Sequence, residues 1–110
     1  MRYSSIMVYA KVDYRGYTPE SFVEQRKGYL RQNPVHFCSM ISDFLVYYFS
    51  RYYRPDLEKL QELFHSNDED CQSLAIQMLF AEHLELFTWI TENCPGIIVS
   101  LLQYYKYAIY

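Results

Sequence analysis

Glycine and proline are both scarce in this sequence, at 3 and 4 residues of 110. So few of either exclude a loop-rich fold, and no low-complexity linker is present. Cysteine is nearly as rare: Cys38, Cys71 and Cys94 are odd in number and far apart. That excludes a disulfide framework and leads us to expect reduced thiols in a cytoplasmic protein. No apolar run reaches the roughly 18 residues of a membrane span. The richest stretch, VHFCSMISDFLVYYFS, is interrupted by His36, Ser39, Ser42 and Asp43. The opening MRYSSIMVYAKVDYRGY has an apolar core too short for a secretory signal. Also missing are a Gly-rich phosphate loop, a Gly-x-Ser-x-Gly turn and a His-Glu-x-x-His helix. No motif fixes a reaction, so no catalytic residue and no cofactor are expected.

What is abundant is aromatic and apolar. Hydrophobic residues make up 51% and charged residues 21%, enough to fold one domain spanning residues 1–110. The 13 tyrosines and 7 phenylalanines suit a small core filled with large rings, and equally a half-exposed binding face. Charge is divided along the chain. Residues 1–54 carry eight Lys/Arg and four Asp/Glu, a balance of +4; residues 55–110 carry two and nine, a balance of −7. Such a division can orient the protein toward a charged partner or toward its own copies.

The element pattern predicts a mainly α fold, a compact bundle of five or six helices with a short N-terminal β-strand or extended arm over residues 1–16. Residues 6–14 alternate like a strand, and Arg15-Gly16 reads as a turn. Helices are expected across 18–54: Thr18 caps Pro19, and the segment to Gln32 is weakly amphipathic and interrupted by Gly28. Asn33 then caps Pro34. The second of these helices carries the stripe Phe37, Ile41, Phe44, Tyr48 and Tyr52. Arg54-Pro55 stops it. Residues 55–93 read as a helical hairpin, its first helix carrying Leu57, Leu60, Leu63 and Phe64. After Asn67 or Asp68 as cap, the face Cys71, Leu74, Ala75, Met78 and Leu79 continues through Leu86, Phe87 and Ile90 to Asn93. A C-terminal helix fills 96–110.

Two stretches resemble known repeat units. LEKLQELFHSNDEDCQSLAIQML, with Leu60, Leu63 and Phe64, then Ser66 and Asp68, then Leu74, Ala75 and Leu79, resembles helical segments of some bacterial leucine-rich-repeat and HEAT-like proteins. AEHLELFTWITENCP, with His83, Leu84, Glu85 and Trp89, is similar to the helical hairpin of ankyrin repeats. Each covers no more than about a third of the chain. Both imply paired antiparallel helices and no particular activity.

Candidate chemistry is thin. His36, Cys38, His65, Cys71, His83 and Cys94 are zinc-ligand types, but without chelating spacing, so no metal site is expected. Cys94, before Pro95-Gly96, reads as the least buried cysteine, at a helix end whose dipole opposes a thiolate. The acids Asp68, Glu69 and Asp70 read first as a helix start. The function expected is therefore a non-enzymatic protein-binding or inhibitory module. Its surface would comprise the acids Glu58, Glu62, Asp68, Glu69 and Asp70 with Tyr104 and Tyr107, set against a basic protein partner. The alternative is a structural protein that self-assembles, as a homodimer, through its N-terminal strand. Single-stranded nucleic-acid binding through Arg51, Tyr53 and Arg54 in segment 47–54 ranks last, because the whole chain is acidic.

Overall fold

A computed structural model describes residues 14–53 and 57–107. It holds seven helices and no strand among the described residues: α1 Pro19–Arg26, α2 Tyr29–Gln32, α3 Pro34–Tyr52, α4 Leu57–His65, α5 Glu69–Leu79, α6 Leu84–Asn93 and α7 Pro95–Tyr107. The expected strand over 6–14 lies almost wholly outside the described residues, as do Arg54 and Pro55. The turn that follows it is present: Gly16 takes φ +85°, in the region that favours glycine, and the Tyr17 N–H reaches the Tyr14 carbonyl at 3.4 Å.

Local chemistry sets the helix starts. Thr18 accepts from the Ser21 N–H at 3.1 Å while Ser21 Oγ accepts from the Thr18 N–H at 3.0 Å, a reciprocal box in front of Pro19. Asn33 Oδ1 accepts from the His36 N–H at 3.1 Å, with Pro34 in the first helical turn. Asp68 Oδ1 accepts from the Asp70 N–H at 2.9 Å, which makes Asp68 the cap of α5.

Two expected helices are each divided. The segment from Pro19 to Gln32 breaks at Lys27-Gly28, where the Leu30 N–H turns to the Lys27 carbonyl, three residues back, at 3.1 Å. The run from Asp68 to Asn93 breaks at residues 80–83. There the Ala81 and His83 N–H groups bond three residues back, to Met78 and Phe80, at 3.3 and 2.8 Å. Side chains hold this second corner: Phe80 is fully buried against Phe49 at 5.1 Å and Phe87 at 5.2 Å between ring centroids. Tyr52 donates to Glu82, and His83 Nδ1 meets Glu20 of α1.

Helix α3 is the spine. Phe37, Met40, Ile41, Phe44, Leu45 and Phe49 are buried along it, and α1, α2 and α7 all pack on it. Tyr52, expected in this stripe, is 48% exposed, since the buried face has turned to Phe49 by the last turn. Phe44 stacks on Phe22 of α1 with centroids 4.1 Å apart. Helix α7 runs beside α3 in the same direction: Cys38 meets Cys94 near one end, and Ser50 neighbours Tyr105 near the other. The far side of α7 receives α4 and α5, with Phe64 stacked on Tyr105 at 4.9 Å.

Tyr105 is fully buried, yet its hydroxyl lies beside Ser50 without completing a hydrogen bond. Burial raises this phenol from its ordinary 10.0 to about 12, with Ser50 opposing the rise and Tyr104 adding to it. Tyr105→Phe removes a buried, unpaired hydroxyl, so we expect it to raise unfolding stability by about 1 kcal/mol. The pH dependence has a definite sign. A phenol whose folded value is raised stabilises the fold fully below pH 10 and loses that contribution as pH climbs toward about 12. Denaturant melts at pH 8 and pH 11 check both points: the variant's advantage should grow at pH 11, and a variant less stable at both would overturn the reading.

Candidate functional site

Three surfaces gather the chemistry-bearing side chains. The first is the acidic end of the α4–α5 pair. Glu58 and Glu62 sit one turn apart on α4, and with Gln61, His65 and Ser66 they line one open hollow. The chain then turns through Ser66 to Asp68 into Glu69 and Asp70, and all five acids are exposed. None forms an ion pair with a lysine or arginine among the described residues, although Lys59 is exposed on the same helix. The turn is fastened from below by a polar side chain outside the expected apolar face. Gln72 is buried, and its Nε2 donates to the Ser66 carbonyl at 2.7 Å and the Phe64 carbonyl at 3.4 Å. Ser66 Oγ accepts from the Asp68 N–H at 3.1 Å, and the Cys71 thiol donates to Asp68 Oδ2 at 3.7 Å.

Burying Gln72 rotates α5 away from the expected face. Gln72, Ala75, Ile76 and Leu79 point inward, while Leu74 and Met78 are 49% and 41% exposed. Tyr104 and Tyr107 are exposed on α7, as a contact surface requires, but Tyr104 faces α3 rather than the acids. Lys106 lies over the Tyr107 ring at 5.8 Å.

The second surface is a cleft of about 320 Å³ between the Tyr14–Tyr17 turn and the end of α3. Tyr14, Tyr17, Tyr47, Tyr48 and Tyr52 line it, with Arg15 and Arg51. Arg51 is exposed, its guanidinium 5.5 Å from the Tyr47 ring centroid. Tyr48 stacks on Tyr52 at 5.6 Å. The Tyr52 hydroxyl is held by Glu82, and this hydrogen bond is the first cause of a rise to about 12. Tyr53 departs from its expected stacking role. It is half-buried, and its hydroxyl donates to the Met78 and Leu79 carbonyls at 3.0 and 3.2 Å, closing the C-terminus of α5. Arg54 lies outside the described residues. Of the two described residues singled out for nucleic acid, Arg51 stands in an aromatic setting open to a ligand and Tyr53 does not. Tyr47, Tyr48 and Tyr52 belong to the segment read beside Arg51, but Tyr14 and Tyr17 had no sequence signal, since the turn and the helix meet only in the fold.

The third surface is a groove of about 560 Å³ between α3 and α7. Small residues form much of its lining: Ser39 and Ser42 from α3, Gly96 and Ser100 from α7, with Val35, Cys38, Asp43, Val46 and Tyr104 around them. The Ser42 hydroxyl is buried with no hydrogen-bond partner. The Asp43 carboxyl is raised from its ordinary value by partial desolvation at the groove wall. Cys94, expected to be the least buried cysteine, is 3% exposed, because the α6–α7 junction is pressed onto α3. Burial first, then the neighbouring Cys38, pushes its thiol up to about 11. Cys38 and Cys71 are half-buried.

His83 is engaged by Glu20, and no described hydrogen bond links Cys71 or Cys94 to a histidine. Among the described residues no three His, Cys, Asp or Glu side chains converge as a metal ion needs, and no helix is long and apolar enough to cross a membrane. No protein-family model, curated protein or solved structure matches the chain, so the HEAT-like and ankyrin-like resemblances rest on their residues alone.

Proposed function

We propose that this protein is a non-catalytic binding module that presents the acidic α4–α5 end to a basic surface of a protein partner, in a reducing compartment such as the cytoplasm. One observation carries the reading: Glu58, Glu62, Asp68, Glu69 and Asp70 are all exposed, and no described lysine or arginine neutralises them. Clustered charge of one sign raises the encounter rate with an oppositely charged surface and rejects like-charged ones. The hydrogen bonds of Gln72 hold the acidic turn in shape before binding, which lowers the ordering cost of association. Tyr107, largely exposed at the end of α7, would add apolar contact where a partner extends beyond the acids. Inhibition is one use of such a module, because covering a partner's basic site blocks whatever that site binds.

The test is capture of a partner from the native source by the full chain, followed by titration of the purified partner. The double variant Glu58→Lys, Glu62→Lys should bind about tenfold more weakly at low salt, with the difference shrinking as salt is raised. Equal binding by wild type and variant would overturn the proposal. Retention of the wild type on a polyanion resin, lost in Arg51→Ala, would instead assign binding to the tyrosine–arginine cleft. Self-assembly through residues 5–14 is a separate reading, carried by residues almost wholly outside those described.

A further inference from the structure

We propose that Cys38 and Cys94 form a reversible modification site, at which a hydroperoxide joins the two thiols as an intramolecular disulfide and a dithiol reductant separates them. The geometry comes from the parallel packing of α3 and α7. Ser50 and Tyr105 are neighbours toward one end of the pair. Counting back along each helix, Cys38 lies twelve residues before Ser50 and Cys94 eleven before Tyr105. At 1.5 Å per residue these are about 18 and 16.5 Å, so the two cysteines arrive level. Adjacent contacts agree. Phe37 meets Trp89 of α6 at 6.1 Å, and Cys38 lines the same groove as Gly96, which brackets Cys94 from both sides. The Cys94 thiol therefore lies beside that of Cys38, close enough for each to influence the other.

Access and reactivity are divided between the two. Cys38 is half-buried and opens into the groove, so a small peroxide can reach it; Cys94 is sealed in the core and cannot be attacked first. The Cys38 sulfur attacks one peroxide oxygen, the O–O bond breaks, and the other oxygen leaves with a proton as alcohol or water. Cys38 is then a sulfenic acid. The Cys94 sulfur next attacks the Cys38 sulfur, the S–O bond breaks, and hydroxide leaves with the Cys94 proton as water. Two thiols have lost two electrons, and the peroxide has gained them. Burial keeps the Cys94 thiol protonated at rest, so it acts second, after Cys38 has been oxidised. A dithiol reverses the reaction by two successive exchanges at the Cys38–Cys94 bond. Cys71 is a built-in control, since its thiol is turned to Asp68 at the other end of the molecule's α4–α5 pair.

The experiment treats the folded full chain with hydrogen peroxide, blocks remaining thiols by alkylation, and maps the peptides by mass. Wild type and Cys71→Ser should each lose two hydrogen atoms, show a peptide joining Cys38 to Cys94, and regain both thiols with dithiothreitol. Cys38→Ser should slow oxidation of Cys94 at least about tenfold, because the accessible sulfur is gone. Cys94→Ala should carry Cys38 on to sulfinic acid with no internal link. The wild-type peptide map needs no variant to fold, so it stands alone as a test. A wild-type Cys38 sulfinic acid beside a free Cys94 thiol, a link through Cys71, or a disulfide between two chains would each overturn the proposal.

Discussion

Phe44→Ala is expected to destabilise the protein by about 3–5 kcal/mol, a large part of the roughly 5–15 kcal/mol that holds a domain of this size. The magnitude follows from what surrounds the ring. Phe44 is fully buried and nearly parallel to Phe22 at 4.1 Å. The edges of Tyr14 and Tyr17 reach it at 5.6 and 6.5 Å, and Tyr48 lies at 6.0 Å. Removing it empties the joint between α3, α1 and the Tyr14–Tyr17 turn, and rigid aromatic neighbours cannot collapse into the space. Denaturant unfolding of wild type and variant measures the loss. Phe44→Leu, which keeps most of the apolar volume, should cost markedly less. A loss below about 1 kcal/mol for the alanine variant would mean that this ring cluster does not close the core.

The second large effect is expected at Gln72. Gln72→Leu keeps the length of the side chain but removes the Nε2 donor, leaving the Phe64 and Ser66 carbonyls without it. A buried amide pairing of this kind is worth about 1–3 kcal/mol when one side is deleted. The loss falls on the turn that carries Asp68, Glu69 and Asp70. Hydrogen exchange at the Asp68 and Asp70 amides, held by Ser66 Oγ and Asp68 Oδ1, should accelerate more than exchange in α3. If the variant is as stable as wild type and the two amides exchange unchanged, the clamp has no role in shaping the acidic end.

The parts of this fold that could be read from sequence are those decided within four residues. Thr18-Pro19, Asn33-Pro34 and the Asn67-Asp68 pair, of which Asp68 is the cap, announced helix starts because a cap is a bond between a side chain and the next turn's own backbone. The parts that could not be read depend on distant residues. The corner at residues 80–83 contains neither glycine nor proline; Phe49, Tyr52 and Glu20 hold it, all from elsewhere in the chain. Leu74 and Met78 looked inward by hydropathy, but Gln72 took the inner position because the α4–α5 turn offers it two carbonyls. Tyr53 beside Arg54 resembled a stacking platform, yet its hydroxyl belongs to the end of α5.

The candidate surfaces divide in the same way. The acids of α4 and α5 are close in sequence, so their common exposure was visible as a charge pattern. The Cys38–Cys94 contact joins residues from opposite halves of the chain and had no local signature. Cys94 looked like a loose helix end because Pro95-Gly96 follows it. In the fold that junction is pressed onto the spine helix, and the cysteine is buried with it.

The parallel pairing of α3 with α7 has a consequence for how the chain reaches this structure. Helices α4 to α6 all lie between the two partners in sequence, so the contact closes a very long loop and belongs to the slow, non-local class. During synthesis, α3 emerges with its Phe37-to-Phe49 face already complete, while the helix that covers one side of that face follows only after α4, α5 and α6. The Tyr53 bond to the end of α5 needs only the intervening segment and can form earlier. A chain halted short of Pro95 therefore holds a spine helix that α1 and α2 can already cover on one side, while the side that α7 fills stays open.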